Sequence, residues 1–256
     1  MLVFIIIFGI ILFLYIHVLF HWKVSNEIDI PHIITPNKDK LETVADMRQP
    51  FIFEKSLKSS LHLEGGERRI NIQKMKEDPI KIPHNGMLSA TKKEPYLSEK
   101  NGTFLKELTW NKEWNDLDDF LKPHMNLWCD HDILYGNQGV YTAINQCLNY
   151  RNYIIILDGN VELKLLPPSS ANIINKRNIN VWEPTEDESK LLSDVSTVLI
   201  PLQKGSIIHI PSYWWWSVKM TDFSCVLFLS YSTYMNALSQ FPRKIQALLT
   251  KHKIEL

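Results

Sequence analysis

Cys129-Asp130-His131-Asp132 sets a thiol, an imidazole and two carboxylates in four consecutive positions. These are the side chains that hold divalent metals. Neighbours on a strand point to opposite faces, so this run cannot close a metal site unless a second element supplies partners. On its own it predicts neither a metal nor a cofactor. The three cysteines, Cys129, Cys147 and Cys225, show no metal-binding spacing and cannot all pair within one chain, and they read as buried thiols. His209, inside the apolar run Ile207 to Ile210, reads as a half-buried imidazole held by a hydrogen bond, and His124 after Pro123 offers less. No glycine-rich phosphate loop and no G-x-S-x-G elbow is present.

A second kind of metal chemistry is suggested by two longer segments, Asn152 to Pro168 (NYIIILDGNVELKLLPP) and Lys204 to Val218 (KGSIIHIPSYWWWSV). Together they resemble the JmjC-like, cupin-type 2-oxoglutarate oxygenases. In that family a strand reading H-x-D leads to N-x-x-x-x-x-x-G and a Pro-Pro stop, and a later strand reads G-D-x-x-x-x-P-x-x-W-W-H. With the run Asn149 to Tyr153, the chain is also similar to membrane-tethered cupin-like proteins of large DNA viruses. The resemblance covers about residues 45 to 235. It implies a mainly β fold with flanking helices, built as a double-stranded β-helix (jelly roll).

The family's iron is held by two imidazoles and a carboxylate, with the other coordination positions left for 2-oxoglutarate and oxygen. Counted back from Asn152 and Gly159, the first His falls on Gln146 and the Asp on Leu148. In a register set on Thr142 they fall on Asn145 and Cys147. The distal His falls on Trp216, whose indole N–H has no lone pair to offer a metal. The lysine that grips 2-oxoglutarate in some relatives falls on Val161. The resemblance therefore implies a fold without its usual catalyst, with Gln146, Leu148 and Trp216 as degenerate positions and no catalytic residue. Two readings of the barrel interior stay open: a packed core, or a ligand pocket lined by Tyr141, Thr142, Asn152, Trp214 and Trp216. The alternative function is a 2-oxoglutarate/Fe(II) hydroxylase with non-standard ligands such as Cys147, Asp130 or His131.

The elements that would position these residues are short strands. Tyr153 to Leu157 is continuously apolar, Asp158-Gly159 signals a tight turn, and Val161, Leu163 and Leu165 alternate with Glu162 and Lys164. That pattern predicts a hairpin ended by Pro167-Pro168. Further strands are expected over Val198 to Leu202, Ile207 to Ile210, Trp214 to Val218 and Phe223 to Tyr231, with Trp214 and Trp216 on one face and Trp215 on the other. Ile30 to Pro36 and Gln49 to Glu54 look extended. Helical spacing marks Trp110 to Leu121, with Trp110, Trp114 and Leu117 on its buried side, and also Met235 to Leu249, interrupted by Pro242. Lys55 to Lys93 is lysine-rich and shows little period, as a long solvated loop would.

Leu2 to Phe20 is apolar apart from Gly9 and His17, close to the roughly 20 residues that span a bilayer. No charge precedes it and no small-residue cleavage site follows, so it reads as an uncleaved single-pass anchor with Trp22 and Lys23 at the interface, a cleaved signal being the alternative. Lys23 alone leaves its orientation open. The expected division is an anchor over 1–23, a linker and N-terminal part over 24–100, the β core over 101–234 and a C-terminal helix over 235–256. Of 256 residues 45% are hydrophobic, enough for one real core, and 28 basic residues balance 28 acidic ones. The balance leaves no electrostatic footprint for nucleic acid. Expected partners are the membrane, through residues 2–20, and a protein, glycan or lipid at its surface, with a homodimer through the C-terminal helix as a further possibility. The sequon Asn101-Gly102-Thr103 matters only for a lumenal domain.

Overall fold

The computed structural model describes residues 1–55, 63–65, 68–70, 97–102, 112–174 and 179–241. Helix α1 (Leu2–Trp22) has 21 residues and carries no Asp, Glu, Lys or Arg. At about 1.5 Å per residue it is roughly 31 Å long. It is long and apolar enough to cross a membrane, a test that an anchor and a signal sequence both pass.

After it come β1 (His32–Ile33), α2 (Lys38–Asp46), β2 (Phe51–Glu54), β3 (Leu63–Gly65), β4 (Arg68–Ile70), β5 (Leu97–Ser98), α3 (Lys112–Leu121), β6 (Asn126–Gly136), β7 (Asn145–Gln146), β8 (Arg151–Asp158) and β9 (Asn160–Leu166). They are followed by α4 (Ala171–Ile174), α5 (Glu186–Leu192), β10 (Val198–Gln203), β11 (Ser206–Pro211), β12 (Trp215–Met220), β13 (Ser224–Thr233) and α6 (234–241). The architecture is mainly β. A seven-stranded sheet runs β1-β2-β11-β8-β13-β6-β5, a four-stranded sheet runs β10-β9-β12-β7, and β3 pairs with β4.

Burial explains the composition of each strand. In β8, Ile154 and Ile156 belong to the core between the two sheets, while Tyr153, Ile155 and Leu157 belong to a second core on the outer face of the larger sheet. A strand covered on both faces has no polar side, which is why Tyr153 to Leu157 reads as an unbroken apolar run. In β9 only Val161, Leu163 and Leu165 enter the inner core, and the clean alternation follows. The outer core is closed by α2, through Leu41 and Ala45, and by α3, through Trp114, Leu117 and Leu121. Asn37 caps α2, its side chain accepting from the Lys40 N–H at 2.8 Å. A third cluster on the far face of the smaller sheet packs Trp215 and Leu166 with Ile174, Ile179 and Val181.

Four sequence expectations change. Asp158-Gly159 does not close a hairpin: β8 pairs with β11 and β13, whereas β9 pairs with β10 and β12. Gly159 turns the chain from one sheet to the other, because an apolar strand with two buried faces needs neighbours from elsewhere in the chain. Cys129 is only partly buried, unlike Cys147 and Cys225. Asn101 of the sequon is buried and its Nδ2 donates to the Ile133 carbonyl at 2.7 Å, so a glycan has no place there in the folded chain. His209 is fully buried, where half burial was expected, and its ring nitrogens make no hydrogen bond of good geometry. Trp110, Pro242 and most of Lys55 to Lys93 lie outside the described residues.

The buried imidazole gives a pH prediction. Its ring stacks on Phe51 at 4.7 Å and lies 5.2 Å from Tyr153. Burial first, and then the positive charges of Arg151 and Arg48, hold its pKa well below the ordinary value, with the Gln49 backbone opposing the shift. A folded pKa below the unfolded one means that the unfolded chain takes up the proton first, so stability falls as pH drops below about 6.5. Relative to His209→Leu, the wild type is expected to lose up to about 1.4 kcal/mol per pH unit between pH 6 and 5. Urea unfolding of both at several pH values reads it, and parallel curves would refute it.

Candidate functional site

In the smaller sheet, Trp216 stands opposite Asn145 and Trp215 opposite Gln146. Trp216 is 6% exposed and stacks on Phe228, with ring centroids 5.1 Å apart and planes at 20°. Cys147 joins Trp214 and Trp216 in the inner core. Burial pushes the Cys147 thiol far above its usual pKa, and the group there is a neutral thiol. Leu148 is 42% exposed and Gln146 donates to the Tyr213 carbonyl at 3.2 Å. Alternation along the strand explains the difference: of the two registers, the one through Asn145 and Cys147 faces Trp216, and Gln146 and Leu148 do not. Cys147 and Trp216 thus share the inner core, whereas Asn145, the cross-strand partner of Trp216, is exposed and its amide donates to the Ala143 carbonyl at 2.9 Å.

Of the five pocket residues, Trp214 and Trp216 share the inner core and the other three stand apart from it. Tyr141 bridges to Lys219 and its hydroxyl donates to Glu183 at 3.0 Å and accepts from Asn180 at 2.9 Å. It therefore lies on the far face of the smaller sheet, beside Trp182. Thr142 is buried and accepts from the Val218 N–H at 3.0 Å. The Asn152 amide donates to the carbonyls of Asn149 and Ile210, both at 3.1 Å. The Trp214 indole donates to the Ser25 carbonyl at 3.1 Å.

The run Cys129 to Asp132 is divided by the pleat of β6. Asp130 is exposed, and Asp132 accepts from the backbone N–H groups of Lys100, Asn101 and Ile133. Cys129 and His131 face the other way and meet Asp118 of α3. His131 Nε2 lies 3.4 Å from Asp118 Oδ1, the Tyr231 hydroxyl donates to the same oxygen at 2.8 Å, and Lys122 Nζ is 2.9 Å from Oδ2. Asp118 was missed in the sequence. Trp114, Leu117, Asp118 and Leu121 are spaced i, i+3, i+4, i+7, so the acid stands on the helix's buried stripe, and that spacing was the available signal.

The last site is the junction between α1 and the β sheets. His21 Nε2 is 3.3 Å from Thr233 Oγ1, the Trp22 indole donates to the Ser239 carbonyl at 3.1 Å, and the Ser169 N–H donates to Asn26 at 2.9 Å. Arg48, buried and at φ 63°, stacks its guanidinium 5.1 Å from the Phe20 ring and 4.9 Å from Tyr150. A cavity of about 410 Å³ opens beside it, walled by Ile16 and Phe20 of α1 and by Met125, Tyr150, Tyr234 and Met235. Met125, Tyr234, Leu238 and Phe241 are exposed. Compared with known families and curated proteins, the chain matches no family model and no curated sequence.

Proposed function

We propose that the chain is a membrane-anchored, cupin-like or JmjC-like β-helix domain without the iron triad, and that it serves as a non-catalytic binding module at a membrane surface. The strand order supports the fold. From β6 to β13 the strands fall in the larger, smaller, larger, smaller, smaller, larger, smaller and larger sheet, the alternation that a jelly roll winds through. The observation that carries the function is Trp216, an indole packed on Phe228 and facing Asn145 where a ligating imidazole would stand.

The membrane reading rests on α1, whose end docks on the domain through His21 and Trp22 instead of leaving by a free linker. Such docking fixes the exposed side chains of Met125, Tyr234, Leu238 and Phe241 around the point where the helix leaves the bilayer. On this reading the cavity and its apolar rim form the binding surface, at the level of the lipid headgroups. A homodimer through α6 is the competing use of that rim, and cross-linking in nanodiscs separates the two.

The functional test uses the full chain in nanodiscs, offered Fe(II) and 2-oxoglutarate without oxygen and then exposed to air. The expected result is no succinate formed above a chain-free control. Succinate formation that Cys147→Ser abolishes would overturn the proposal and establish a hydroxylase with rebuilt ligands.

A further inference from the structure

We propose that Asp118, Cys129 and His131 form a zinc site on the outer face of the larger sheet, separate from the barrel interior. Cys129 and His131 are two residues apart on β6, so both side chains leave the same face. β6 is fixed there by its ladder with β13, in which Cys129 stands opposite Tyr231 and His131 opposite Leu229. Helix α3 crosses that face and supplies Asp118. One ligand atom from each of the three residues lies within 4.8 Å of the other two.

The His131–Asp118 spacing suits a bound metal as well as an ion pair. His131 Nε2 and Asp118 Oδ1 are 3.4 Å apart, whereas a charge-assisted hydrogen bond usually closes to about 2.7–2.9 Å. Two ligands each roughly 2.0–2.1 Å from a tetrahedral zinc stand about 3.3 Å from one another. The donor set selects the ion. Calcium and magnesium take oxygen ligands, while a thiolate, an imidazole and a carboxylate together suit Zn²⁺.

The surroundings also match a built site. Ligating carboxylates are held by outer partners, and Asp118 has two: the Tyr231 hydroxyl at 2.8 Å on Oδ1 and Lys122 at 2.9 Å on Oδ2. The side chains of His131 and Asp118 keep 15% and 20% exposure, so an ion has a way in. Three protein ligands leave a fourth tetrahedral position for water or an outside ligand, the arrangement of exchangeable and catalytic zinc sites. Asp130 and Asp132 take no part, since the pleat turns them away.

The test is cobalt substitution of the full chain in detergent micelles after chelator treatment. Co²⁺ should produce the visible bands of a tetrahedral ion and a sulfur-to-cobalt charge-transfer band, and one equivalent of Zn²⁺ should bleach both. Cys129→Ser should remove the charge-transfer band, Asp118→Asn should weaken zinc at least about tenfold, and Tyr231→Phe should weaken it about tenfold through the outer shell. Asp130→Asn should bind as the wild type does. Circular dichroism of each metal-free variant checks the fold, with Cys129→Ala as the second choice if the serine variant fails to fold. Absence of tetrahedral bands would overturn the proposal. So would a charge-transfer band that survives in a folded Cys129 variant, which would place the sulfur at Cys147 or Cys225.

Discussion

Trp216→Ala is expected to destabilise the domain by about 3–5 kcal/mol, the usual cost of emptying a large aromatic from a closed core. The side chain is 6% exposed, stacked on Phe228, and belongs to the inner core with Leu163, Leu165, Val218 and Ile210. A domain of this size is stable by about 5–15 kcal/mol, so a single truncation would remove a large share. Trp215 provides the comparison. It is 8% exposed on the opposite face of the same strand, in the smaller outer cluster, and its indole N–H makes no hydrogen bond. Removing it also removes a buried polar group left without a partner, and that relief offsets part of the lost burial. Trp215→Ala is therefore expected to cost less than Trp216→Ala. Urea unfolding with an unchanged m-value measures both. The experiment also separates the two readings of the core between the sheets. If Trp216 lined an open ligand pocket, its loss would barely move the midpoint.

The strands were legible wherever one face is buried, because alternation in Val161 to Leu165 follows directly from a sheet with one covered side. What could not be read was which strands pair. Asp158-Gly159 satisfies the local chemistry of a tight hairpin, and local chemistry carries no information that β8 finds its neighbours in β11 and β13. Strand β6 was also passed over, since its polar run Cys129 to Asp132 hides the period that Ile133, Leu134 and Tyr135 continue. For the same reason Asp118 stayed invisible as a partner of Cys129 and His131. It lies eleven positions before Cys129 in the chain, and only the packing of α3 on β6 brings them together. His209 shows the opposite error, a polar residue expected at half burial because full burial of an imidazole is costly. Its ring stacks on Phe51 and meets the tilted ring of Tyr153.

Gly159→Ala is expected to be the most damaging single-methyl change among the described turns, at about 3 kcal/mol or more, made up of backbone strain and a steric clash. Gly159 holds φ at 79°, in the region where an L side chain meets its own carbonyl. A Cβ built there would lie 2.5 Å from the Phe223 carbonyl oxygen, 2.5 Å from Ser224 Oγ and 2.7 Å from Asp222 Oδ1. Those atoms cannot easily retreat. Asp222 accepts from the Asn160 backbone N–H at 2.7 Å and from its amide at 2.9 Å, and Ser224 Oγ donates to the Asn160 carbonyl at 2.7 Å. The segment between β12 and β13 is thus clasped onto the corner at which β8 leaves the larger sheet and β9 enters the smaller one. Gly139 separates the two contributions, because its φ is 86° but nothing lies within 4 Å of the position its Cβ would take. Gly139→Ala should therefore cost only the backbone strain, about 1–2 kcal/mol. The difference between the two unfolding free energies measures how firmly the Asp222 clasp holds the corner. Equal values would mean that the clasp yields, and that the crossing between sheets is maintained by the strand ladders alone.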